Sequence, residues 1–581
     1  MRASTSTAHR SDAAGAAAMF DTERLYNRRA DKRWDRVCVG DITERMTWSR
    51  PDDVAIVGWE GAYSSPEFAS LTWRKADELA NRVANMLLDH GLRRGDRLML
   101  ACENSVEAYV AKLGAAKVGV VAASLNPAFA PDVVRYLALH LSPSFVIVDG
   151  GTRPEVVEAL EGAGAPVNVT IRIDGEVFAG SADFVAEVAR HSSVEPVATV
   201  HGDDIWEILF TSGTTAMPKA VMLSHTYAYL AAHGFALSFT RGVDIESHVT
   251  LVAFLPVVYH IGDQILSLPA LVAGGKLVIG RRSDAQGTAQ AVIAHRATAV
   301  WGGSPQSVKQ ISVELEALAP AEKTLSVIVY GWGAVEPPVL ARLESVARSG
   351  FQLVGIFGQT ESISCHRFWP VVQREKFESA GSTVNYVGVP SPLLASTVFD
   401  VDGNDLVLQG VTGVAGEAVY RSPVTMAGYY RDPEATAQAF AGGWLHSGDS
   451  CLVGEDGMRT MVDRYKDIIK SGGENVSSLR VEARLHAHPA VLKAAVVGLA
   501  HARWGEAVTA FVVPRTPDLT GDELLVWAGA GLAGFESPKR VVFVEALPET
   551  VGGKVMKYRL RTQWADLYAE RASSSSFIQN A

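Results

Sequence analysis

The chain has 581 residues, enough for about four structural lobes at the usual domain size. Hydrophobic residues make up 48% of it, which excludes a disordered or fibrous protein. The formal net charge of −11 argues against a nucleic-acid-binding function, because such proteins present a basic face to phosphates.

Predicted helices and strands alternate over the first part of the chain, from Leu71 to Asp149. Apolar residues recur with helical spacing over Trp73–His90, and a buried strand follows at Gly95–Cys102. This alternation predicts an α/β architecture with largely parallel strands. Short apolar strands continue the pattern at Trp206–Phe210, Val249–Phe254, Lys276–Ile279 and Ser326–Tyr330.

After Val389 the pattern changes to strands separated by turn signals, as at Ser396–Phe399 and Glu417–Tyr420, which indicates a small β-rich subdomain. The charged segment Asp463–Asp467 then precedes a compact α/β stretch. We therefore predict a large N-terminal domain over residues 21–465, made of two α/β subdomains and the β-rich subdomain. A small α/β C-terminal domain is predicted over 466–571, with a disordered leader at 1–20 and a disordered tail at 572–581.

The four cysteines are scattered without a CxxC pair, which predicts free thiols in a reducing compartment. The first eighteen residues have no continuous apolar core, so a secretory signal is not expected. No apolar run approaches the roughly 20 residues that cross a bilayer. The sequence therefore predicts a cytoplasmic protein without a membrane span.

A hydroxyl-rich loop follows the strand Trp206–Phe210 and reads Thr211-Ser-Gly-Thr-Thr-Ala-Met-Pro-Lys219. Its hydroxyls, its flexible glycine and its lysine are suited to an anion, although such clusters are most often surface turns. A Walker loop needs a second glycine before the lysine and Ser or Thr after it. Pro218 and Ala220 occupy those places, which excludes the Walker class.

The loop instead resembles the phosphate loop of the adenylate-forming superfamily, which contains acyl-CoA synthetases, carrier-dependent adenylation domains and beetle luciferases. The resemblance extends over further motifs from about Leu71 to Leu560. The family usually has glycine where Ala216 and Ala220 stand, and their methyl groups predict a stiffer loop. The resemblance implies that ATP phosphates are bound by Thr211, Ser212, Gly213, Thr214, Thr215 and Lys219.

The segment Phe357-Gly-Gln-Thr-Glu361 resembles the family's aromatic-Gly-x-Thr-Glu motif. The resemblance implies that Phe357 stacks on adenine, Thr360 contacts the α-phosphate and Glu361 holds Mg²⁺, a role that suits a hard carboxylate. Taken alone, a Thr-Glu pair is more often an ordinary helix start.

The turn Gly331-Trp-Gly-Ala334 resembles the family's turn beside the adenine and acyl pocket, which gives roles to Gly331, Trp332, Gly333 and Ala334. The family often has a small residue where Trp332 stands. Trp332 therefore either narrows the pocket or packs as a structural residue.

Asp449 resembles the family's ribose-binding aspartate, and Arg464 resembles the arginine that reaches the ribose or the phosphate. A carboxylate with two acceptor oxygens suits a vicinal diol. Taken singly, the aspartate would be a turn residue and the arginine a surface charge. His260 matches a position beside the acyl site that often gates the pantetheine channel, although an isolated histidine is more often structural.

Several residues near the C-terminal domain match positions that act during catalysis. Lys466 matches the hinge of the small domain, and Lys554 matches the catalytic lysine that stabilises charge during adenylation. The CoA channel is implied at Ser471, Gly472 and Gly473. Arg480 stands where the family commonly has glutamate, so it either lies on a helix face or alters domain docking.

The resemblance implies that ATP activates a carboxylic acid as acyl-AMP with release of pyrophosphate, and that CoA then accepts the acyl group. The apolar residues predicted around the acyl site suggest a hydrophobic acid, either fatty, aryl or polycyclic. One alternative is transfer of the adenylate to a separate carrier protein or thiolation partner. Another is a non-catalytic nucleotide-binding relative, and a homodimer is left open.

Overall fold

A computed structural model describes residues 36–211, 217–240, 248–380, 384–464, 466–472, 474–549 and 555–569. The predicted leader 1–20 and tail 572–581 lie outside these residues. The described chain forms two compact units. The first holds the residues up to Arg282 together with Pro423–Pro433, and the second holds Ser283–Ser422 and the residues from Glu434 onwards.

The first unit contains most of the predicted alternating helices and strands. In chain order its elements are α1 (Asp41–Ser49), β1 (Val54–Gly58), a 3₁₀ helix (Pro66–Phe68), β2 (Ser70–Thr72), α2 (Trp73–Asp89), β3 (Arg97–Ala101), α3 (Val106–Lys117), β4 (Val121–Ser124), α4 (Pro131–Leu141), β5 (Phe145–Asp149), α5 (Pro154–Glu161), β6 (Val169–Ile171), β7 (Ala182–Asp183), α6 (Phe184–Ala189), β8 (Ile205–Thr211), β9 (Lys219–Ser224), α7 (His225–Thr240), β10 (Thr250–Ala253), a π-helix (Asp263–Ser267), α8 (Leu268–Val272) and β11 (Lys276–Ile279).

The second unit begins with three further parallel strands and ends in the predicted C-terminal stretch. Its elements are α9 (Ala285–Ala294), β12 (Ala299–Gly303), α10 (Pro305–Leu318), β13 (Val327–Tyr330), α11 (Pro337–Val346), β14 (Gln352–Gln359), β15 (Ser362–Phe368), α12 (Arg374–Ala380), β16 (Asn385–Pro390), β17 (Ala395–Phe399), β18 (Gly416–Arg421), β19 (Gly428–Tyr429, which belongs to the first unit), α13 (Pro433–Ala439), a 3₁₀ helix (Ala441–Gly443), β20 (Leu445–Val453), β21 (Arg459–Arg464), β22 (Ile469–Ser471), β23 (Glu474–Val476), α14 (Ser478–His486), β24 (Val491–His501), β25 (Gly505–Pro514), α15 (Gly521–Gly529), β26 (Arg540–Phe543) and α16 (Lys557–Gln563).

The main sheet of the first unit has the strand order β19-β9-β8-β4-β3-β5-β6-β7. It is parallel from β8 to β7, and β9 and β19 extend it as antiparallel strands. A second sheet segment of this unit pairs β10, β11, β1 and β2 in that order. The apolar faces of α4 and α5 pack on the main sheet, and Leu137, Val148 and Leu160 are fully buried there.

In the second unit, β12, β13 and β14 are parallel, and β14 then turns into an antiparallel series through β15, β16, β21, β20, β18 and β17. The strands β17 and β18 of this antiparallel part lie in the stretch after Val389 where the sequence predicts a small β-rich subdomain. Parallel strands place their carboxyl ends at one edge of the sheet, and that edge carries two of the predicted motifs.

The C-terminal stretch has its own sheet, in which β24 and β25 form the long central hairpin. Alternate residues of β24 face opposite sides, so Val496 joins one core cluster and Val497 the other. Because helices cover both faces of this sheet, the side chains on both sides of β24 are buried. Its sequence is therefore a continuous apolar run and not an alternation of apolar and polar residues.

The fold class predicted from the sequence, an α/β protein with a large N-terminal and a small C-terminal domain, is confirmed. The predicted domain bounds of 21–465 and 466–571 remain predictions. Among the described residues, no helix is both long and apolar enough to cross a bilayer.

Candidate active site

The predicted phosphate loop joins two antiparallel strands of the first unit. Thr211 ends β8 and pairs in register with Lys219 at the start of β9. The Lys219 Nζ lies 4.5 Å from the centroid of the Tyr429 ring, a cation–π contact that holds the ammonium group at the end of the loop. A Walker loop leads into a helix, so the strand found here agrees with the exclusion of that class. Ser212, Gly213, Thr214 and Thr215 lie outside the described residues.

Ala220, one of the two departures from the family pattern, lies in β9. Its side chain is buried in the core of the first unit, and its carbonyl accepts a hydrogen bond from the Tyr430 N–H at 2.8 Å. Its methyl group therefore contributes to the core rather than to the stiffness of the loop. Ala216 lies outside the described residues.

His260 lies in the irregular segment between β10 and the π-helix. Its Nδ1 accepts a hydrogen bond from the backbone N–H of Gly262 at 2.9 Å, which closes a tight turn. Val257 and Val258 precede it and are fully buried. The segment is therefore apolar on its buried side, as the predicted acyl site requires.

A buried charged network, formed by Lys112, Glu207 and Asp263, fixes this segment. The Lys112 Nζ lies 2.6 Å from the Glu207 carboxylate of β8 and 2.8 Å from the Asp263 carboxylate, and all three side chains are at most 1% exposed. Lys112 also donates to the Val258 carbonyl at 3.2 Å. Burial raises the pKa of Glu207 to about 7, although the Lys112 cation opposes this shift. The network ties the segment carrying His260 to the strand that leads into the phosphate loop.

This charged network was not predicted from the sequence. The signal was present, since Lys112 interrupts an apolar helix and Glu207 interrupts the apolar strand Trp206–Phe210. A charge inside an otherwise apolar element must find a buried partner, because an unpaired charge is costly there. The identity of the partner could not be predicted, because Asp263 lies far away along the chain.

In the second unit, two predicted motifs follow adjacent parallel strands. The turn Gly331–Ala334 follows β13, and Phe357 lies near the end of β14. A Cβ atom on Gly331 would lie 3.3 Å from the Ile356 carbonyl oxygen, so this turn passes beside the residue that precedes Phe357. Gly333 and Ala334 are half-buried. Ligands of open α/β sheets bind beyond the carboxyl ends of the strands, where these motifs lie.

Trp332 departs from the geometry of a packed core residue. Its φ is 65°, in the left-handed region, and the residue is 45% exposed. Its ring meets Trp301 edge-on, with the ring centroids 5.5 Å apart. Of the two interpretations of Trp332, this exposure supports the one in which the side chain shapes a pocket.

Thr360 and Glu361 lie at the tip of a β-hairpin. They join Gln359, the last residue of β14, to Ser362, the first residue of β15, and those two residues pair in register. The alternative of an ordinary helix start is therefore wrong. Phe357 lies opposite His366, with ring centroids 6.0 Å apart.

The His366 ring beside Phe357 is neutral. Burial lowers the pKa of His366 to about 3, and the Arg459 guanidinium acts in the same direction. Its Nε2 lies 3.0 Å from the Ser396 hydroxyl. Phe357 therefore presents an aromatic face without a neighbouring imidazolium charge.

Asp449 and Arg464 pair across the antiparallel strands β20 and β21. The Arg464 Nε lies 3.2 Å from the Asp449 Oδ1, and the two residues are in register. The Asp449 side chain is 4% exposed and that of Arg464 is 29% exposed. The Asp449 N–H donates to the Ser447 hydroxyl at 3.0 Å, which fixes the backbone at this point. The structure thus brings together two residues that the resemblance assigned to the ribose.

Lys466 lies in the turn between β21 and β22. The Ile468 N–H donates to the Arg464 carbonyl at 3.0 Å, and the Arg561 guanidinium donates to the Lys466 carbonyl at 3.3 Å. Partial desolvation and the nearby Arg464 charge lower the pKa of Lys466 to about 8. The predicted hinge is therefore a short turn that immediately follows the Asp449–Arg464 pair.

Two of the predicted CoA-channel residues lie where β22 leads into the turn before β23, Ser471 as the last residue of β22 and Gly472 after it. Ser471 pairs with Glu474, and Gly472 has a φ of 63°. The Gly472 N–H donates to the Trp504 carbonyl at 2.8 Å, and a Cβ atom on Gly472 would lie 3.1 Å from the Trp504 ring. Gly473 lies outside the described residues.

Arg480 lies in α14, and its Nε is 2.9 Å from the Glu536 carboxylate. The charge reversal at this position therefore has a partner within the C-terminal stretch. Lys554 lies outside the described residues, but Glu549 and Val555 on either side of it form an antiparallel bridge. The segment that carries Lys554 therefore begins and ends at paired residues.

The chain belongs to the AMP-binding enzyme family, which matches residues 44–430, and the AMP-binding enzyme C-terminal domain matches residues 480–554. A long-chain-fatty-acid–CoA ligase of Mycobacterium tuberculosis, FadD13, is 30% identical over 512 residues, covering 87% of this chain and 95% of the relative. A fatty acid–[acyl-carrier-protein] ligase of Streptomyces coeruleorubidus, ScoC, is 31% identical over 513 residues, covering 86% and 93%. ATP-bound MatB from Rhodopseudomonas palustris has a similar structure, with a TM-score of 0.75 at 26% identity, covering 91% of this chain and 99% of that one.

These similarities confirm two predictions made from the sequence. The chain is a member of the adenylate-forming superfamily, and its enzyme class is that of the acid–thiol ligases. The roles of the individual site residues remain predictions.

Proposed function

We propose that this chain activates a hydrophobic carboxylic acid with ATP, releases pyrophosphate, and transfers the acyl group from acyl-AMP to CoA. One observation carries the proposal: in a chain of the AMP-binding family, the turn Gly331–Ala334 and the motif Phe357–Glu361 lie at the carboxyl ends of adjacent parallel strands. That placement fits a nucleotide bound beyond the carboxyl ends of those strands.

The second unit would bind the nucleoside. Phe357 would stack on adenine, and Asp449 would accept hydrogen bonds from the ribose hydroxyls while Arg464 orients its carboxylate. Thr360 would contact the α-phosphate. The oxygen donors at the hairpin tip suit a hard cation, so Glu361 would hold Mg²⁺, which neutralises phosphate charge when bound.

The remaining predicted roles follow the same mechanism. The loop from Thr211 to Lys219 would bind the ATP phosphates, and Lys554 would stabilise the charge that develops between the carboxylate and the α-phosphate. Lys466 would act as the hinge of the small domain, and the Ser471–Gly473 turn would line the CoA channel. His260 would gate the entry of the pantetheine arm.

The proposed substrate is a hydrophobic acid because the residues that the resemblance places around the acyl site are apolar. Similarity to a fatty-acid–CoA ligase makes a fatty acid the first candidate substrate. Aryl and polycyclic acids are the next candidates. The reaction is proposed to occur in the cytoplasm. Cys38 and Cys102 are buried free thiols, which suits a reducing compartment.

A second candidate function is transfer of the adenylate to a carrier protein. Similarity to the fatty acid–[acyl-carrier-protein] ligase ScoC supports it. The two candidates share the adenylation step and differ in the thiol that accepts the acyl group.

The proposal is tested by measuring carboxylate-dependent ATP–pyrophosphate exchange over a panel of fatty, aryl and polycyclic acids, with mass detection of acyl-CoA. We expect exchange with at least one hydrophobic acid, thioester formation with CoA, and loss of exchange in Lys554→Ala. Exchange without a CoA thioester would favour the carrier-dependent function. The absence of exchange with every acid would favour a non-catalytic relative and reject the proposal.

A further inference from the structure

A histidine–glutamate cluster, formed by His90, Glu187 and His191, lies in the first unit on segments that carry none of the proposed catalytic residues. His90 directly follows α2, Glu187 lies in α6, and His191 lies two residues beyond α6. The Nε2 atoms of His90 and His191 lie 3.2 Å and 3.5 Å from the same Glu187 oxygen, Oε1. One possible ligand atom from each residue lies within 4.8 Å of the other two.

The hydrogen bonds of His191 determine what its second nitrogen can do. Its Nδ1 lies 2.7 Å from the Asp89 carboxylate, and a carboxylate accepts, so Nδ1 carries a proton. In a neutral ring, Nε2 then carries a lone pair and accepts hydrogen bonds. It faces Glu187 Oε1, which is also an acceptor. A cation placed beside these two acceptor atoms would be coordinated by both of them.

We propose that His90, Glu187 and His191 bind a divalent transition metal, with Zn²⁺ as the first choice. Zinc–nitrogen bonds of about 2.0–2.1 Å place the ligand atoms of a tetrahedral ion about 3.3 Å apart. The two observed nitrogen–oxygen separations, 3.2 Å and 3.5 Å, lie close to that value. Two histidines and one carboxylate form a known zinc-binding set, with the fourth position left to water. The His90 side chain is 41% exposed, so solvent reaches the site.

The neighbouring groups support binding through one carboxylate oxygen. Arg190 lies 2.8 Å from the other Glu187 oxygen, Oε2, which leaves Oε1 to the metal. The Phe145 ring packs edge-on against His90 with centroids 5.0 Å apart, and this contact restrains the imidazole plane. Asp89 would be a positioning residue, because a carboxylate bonded to the outer nitrogen of a metal-binding histidine fixes its tautomer and raises its basicity.

Bound metal would tie the end of α2 to the segment that follows α6. Ligands that bind the folded state alone stabilise it by mass action, so the site should raise the unfolding temperature. This role is separate from acid activation.

The test uses the full chain, stripped of metal with a chelator and then titrated with Zn²⁺ and, separately, with Co²⁺. We expect one equivalent of Zn²⁺ to raise the unfolding temperature, and Co²⁺ to give the visible absorption typical of a four-coordinate ion. His191→Gln and Glu187→Gln should lose both signals. Asp89→Asn should keep the site but weaken its affinity by about 10–100-fold.

The matched control is His446→Gln, which removes a histidine paired with one carboxylate, Glu417, at 2.8 Å. This variant should bind Zn²⁺ as the parent does. Equal affinity in the parent and in His191→Gln, or no rise in unfolding temperature in the parent, would overturn the proposal. Asp89 is 67% exposed, so Asp89→Asn should fold. This variant keeps the test decisive if the other variants do not fold. None of the readouts depends on acyl-adenylate formation.

Discussion

At the turn after β13, Trp332 has a backbone conformation that residues with a side chain rarely adopt. A φ of 65° costs a non-glycine residue about 1–3 kcal/mol, which the surrounding structure must offset. Glycine would remove this cost, and both neighbours in the chain are glycine. A bulky ring kept at such a position, and left 45% exposed, fits the predicted role in shaping the acyl pocket.

Trp332→Gly should therefore enlarge the range of acids accepted. We expect the ratio of kcat/KM for long acids to that for short acids to rise by about tenfold, the scale on which apolar pockets discriminate substrates. Pyrophosphate exchange across a chain-length series measures it. Trp48→Ala, which alters a tryptophan that is 76% exposed on α1, should leave the ratio unchanged. An unaltered ratio in Trp332→Gly would show that the ring does not line the pocket.

Residues with a specific chemistry could be predicted where the pattern itself carries the chemistry. Asp449 and Arg464 were both assigned to the ribose, and the structure brings their side chains to 3.2 Å. Lys112 and Glu207 were not recognised, because their function depends on compensation by distant charges. Which residue compensates a buried charge follows from tertiary packing, which no local pattern encodes.

At the scale of elements, the charged network joins α3, β8 and the π-helix. Lys112→Met would leave the Glu207 and Asp263 carboxylates buried together, and breaking a buried pair costs about 3–5 kcal/mol. Hydrogen exchange along β8 should report a loss of that size. Lys309→Met, which removes an exposed partner of Glu336, should change stability by less than about 1 kcal/mol. A similarly small effect in Lys112→Met would contradict the inference that the charged network stabilises the fold around β8.

The turn between β22 and β23 gives a prediction for the second half-reaction. Gly472→Ala would place a methyl group 3.1 Å from the Trp504 ring at a φ of 63°, so the turn must shift. We expect CoA thioester formation to fall by about tenfold or more, since small displacements in a site are costly. Pyrophosphate exchange should be unchanged.

Gly457→Ala is the matched control for Gly472→Ala. Gly457 has a φ of 78°, so the backbone strain is comparable, but no atom lies within 4 Å of the added Cβ. The thioester rate of this variant should equal that of the parent. Equal thioester rates in both variants would argue against a CoA channel at Gly472.

At the scale of the whole molecule, buried neutral histidines make the fold sensitive to acid. Burial lowers the pKa of His225 to about 3, and its Nδ1 accepts a hydrogen bond from the Val39 N–H at 3.1 Å. Protonation of the His225 Nδ1 would place its N–H against the Val39 N–H, so that two donors face each other. Because the folded pKa lies below the unfolded value of about 6.5, this stabilising contribution is complete above pH 6.5 and is lost as the pH falls towards 3.

The predicted loss from His225 is about 2 kcal/mol between pH 7 and pH 5. Other groups titrate in this window, so the comparison is between the parent and His225→Gln. The difference in unfolding free energy between the two pH values, measured by hydrogen exchange in the first unit, should be smaller in the variant by that amount. An identical pH dependence in both proteins would contradict the assignment.

The overall fold could be predicted where both faces of a strand are buried. The strands Phe145–Asp149 and Lys276–Ile279 have the predicted bounds, because continuous apolar runs mark them clearly. The strand β24 extends beyond the apolar run Ala494–Gly498, because Lys493 and His501 near its ends conceal its full length in the sequence. The two-residue strand β19 could not be predicted, because its pairing with β9 joins segments that are far apart in the chain.

In the proposed reaction, the substrate carboxylate attacks the α-phosphorus of ATP. The most direct test is one turnover with an acid labelled with ¹⁸O in its carboxylate, in the presence of ATP and CoA, followed by mass analysis of the products. If the carboxylate attacks the α-phosphorus, one labelled oxygen appears in AMP and none in pyrophosphate. Label found in pyrophosphate, or acyl-CoA formed without label in AMP, would contradict it.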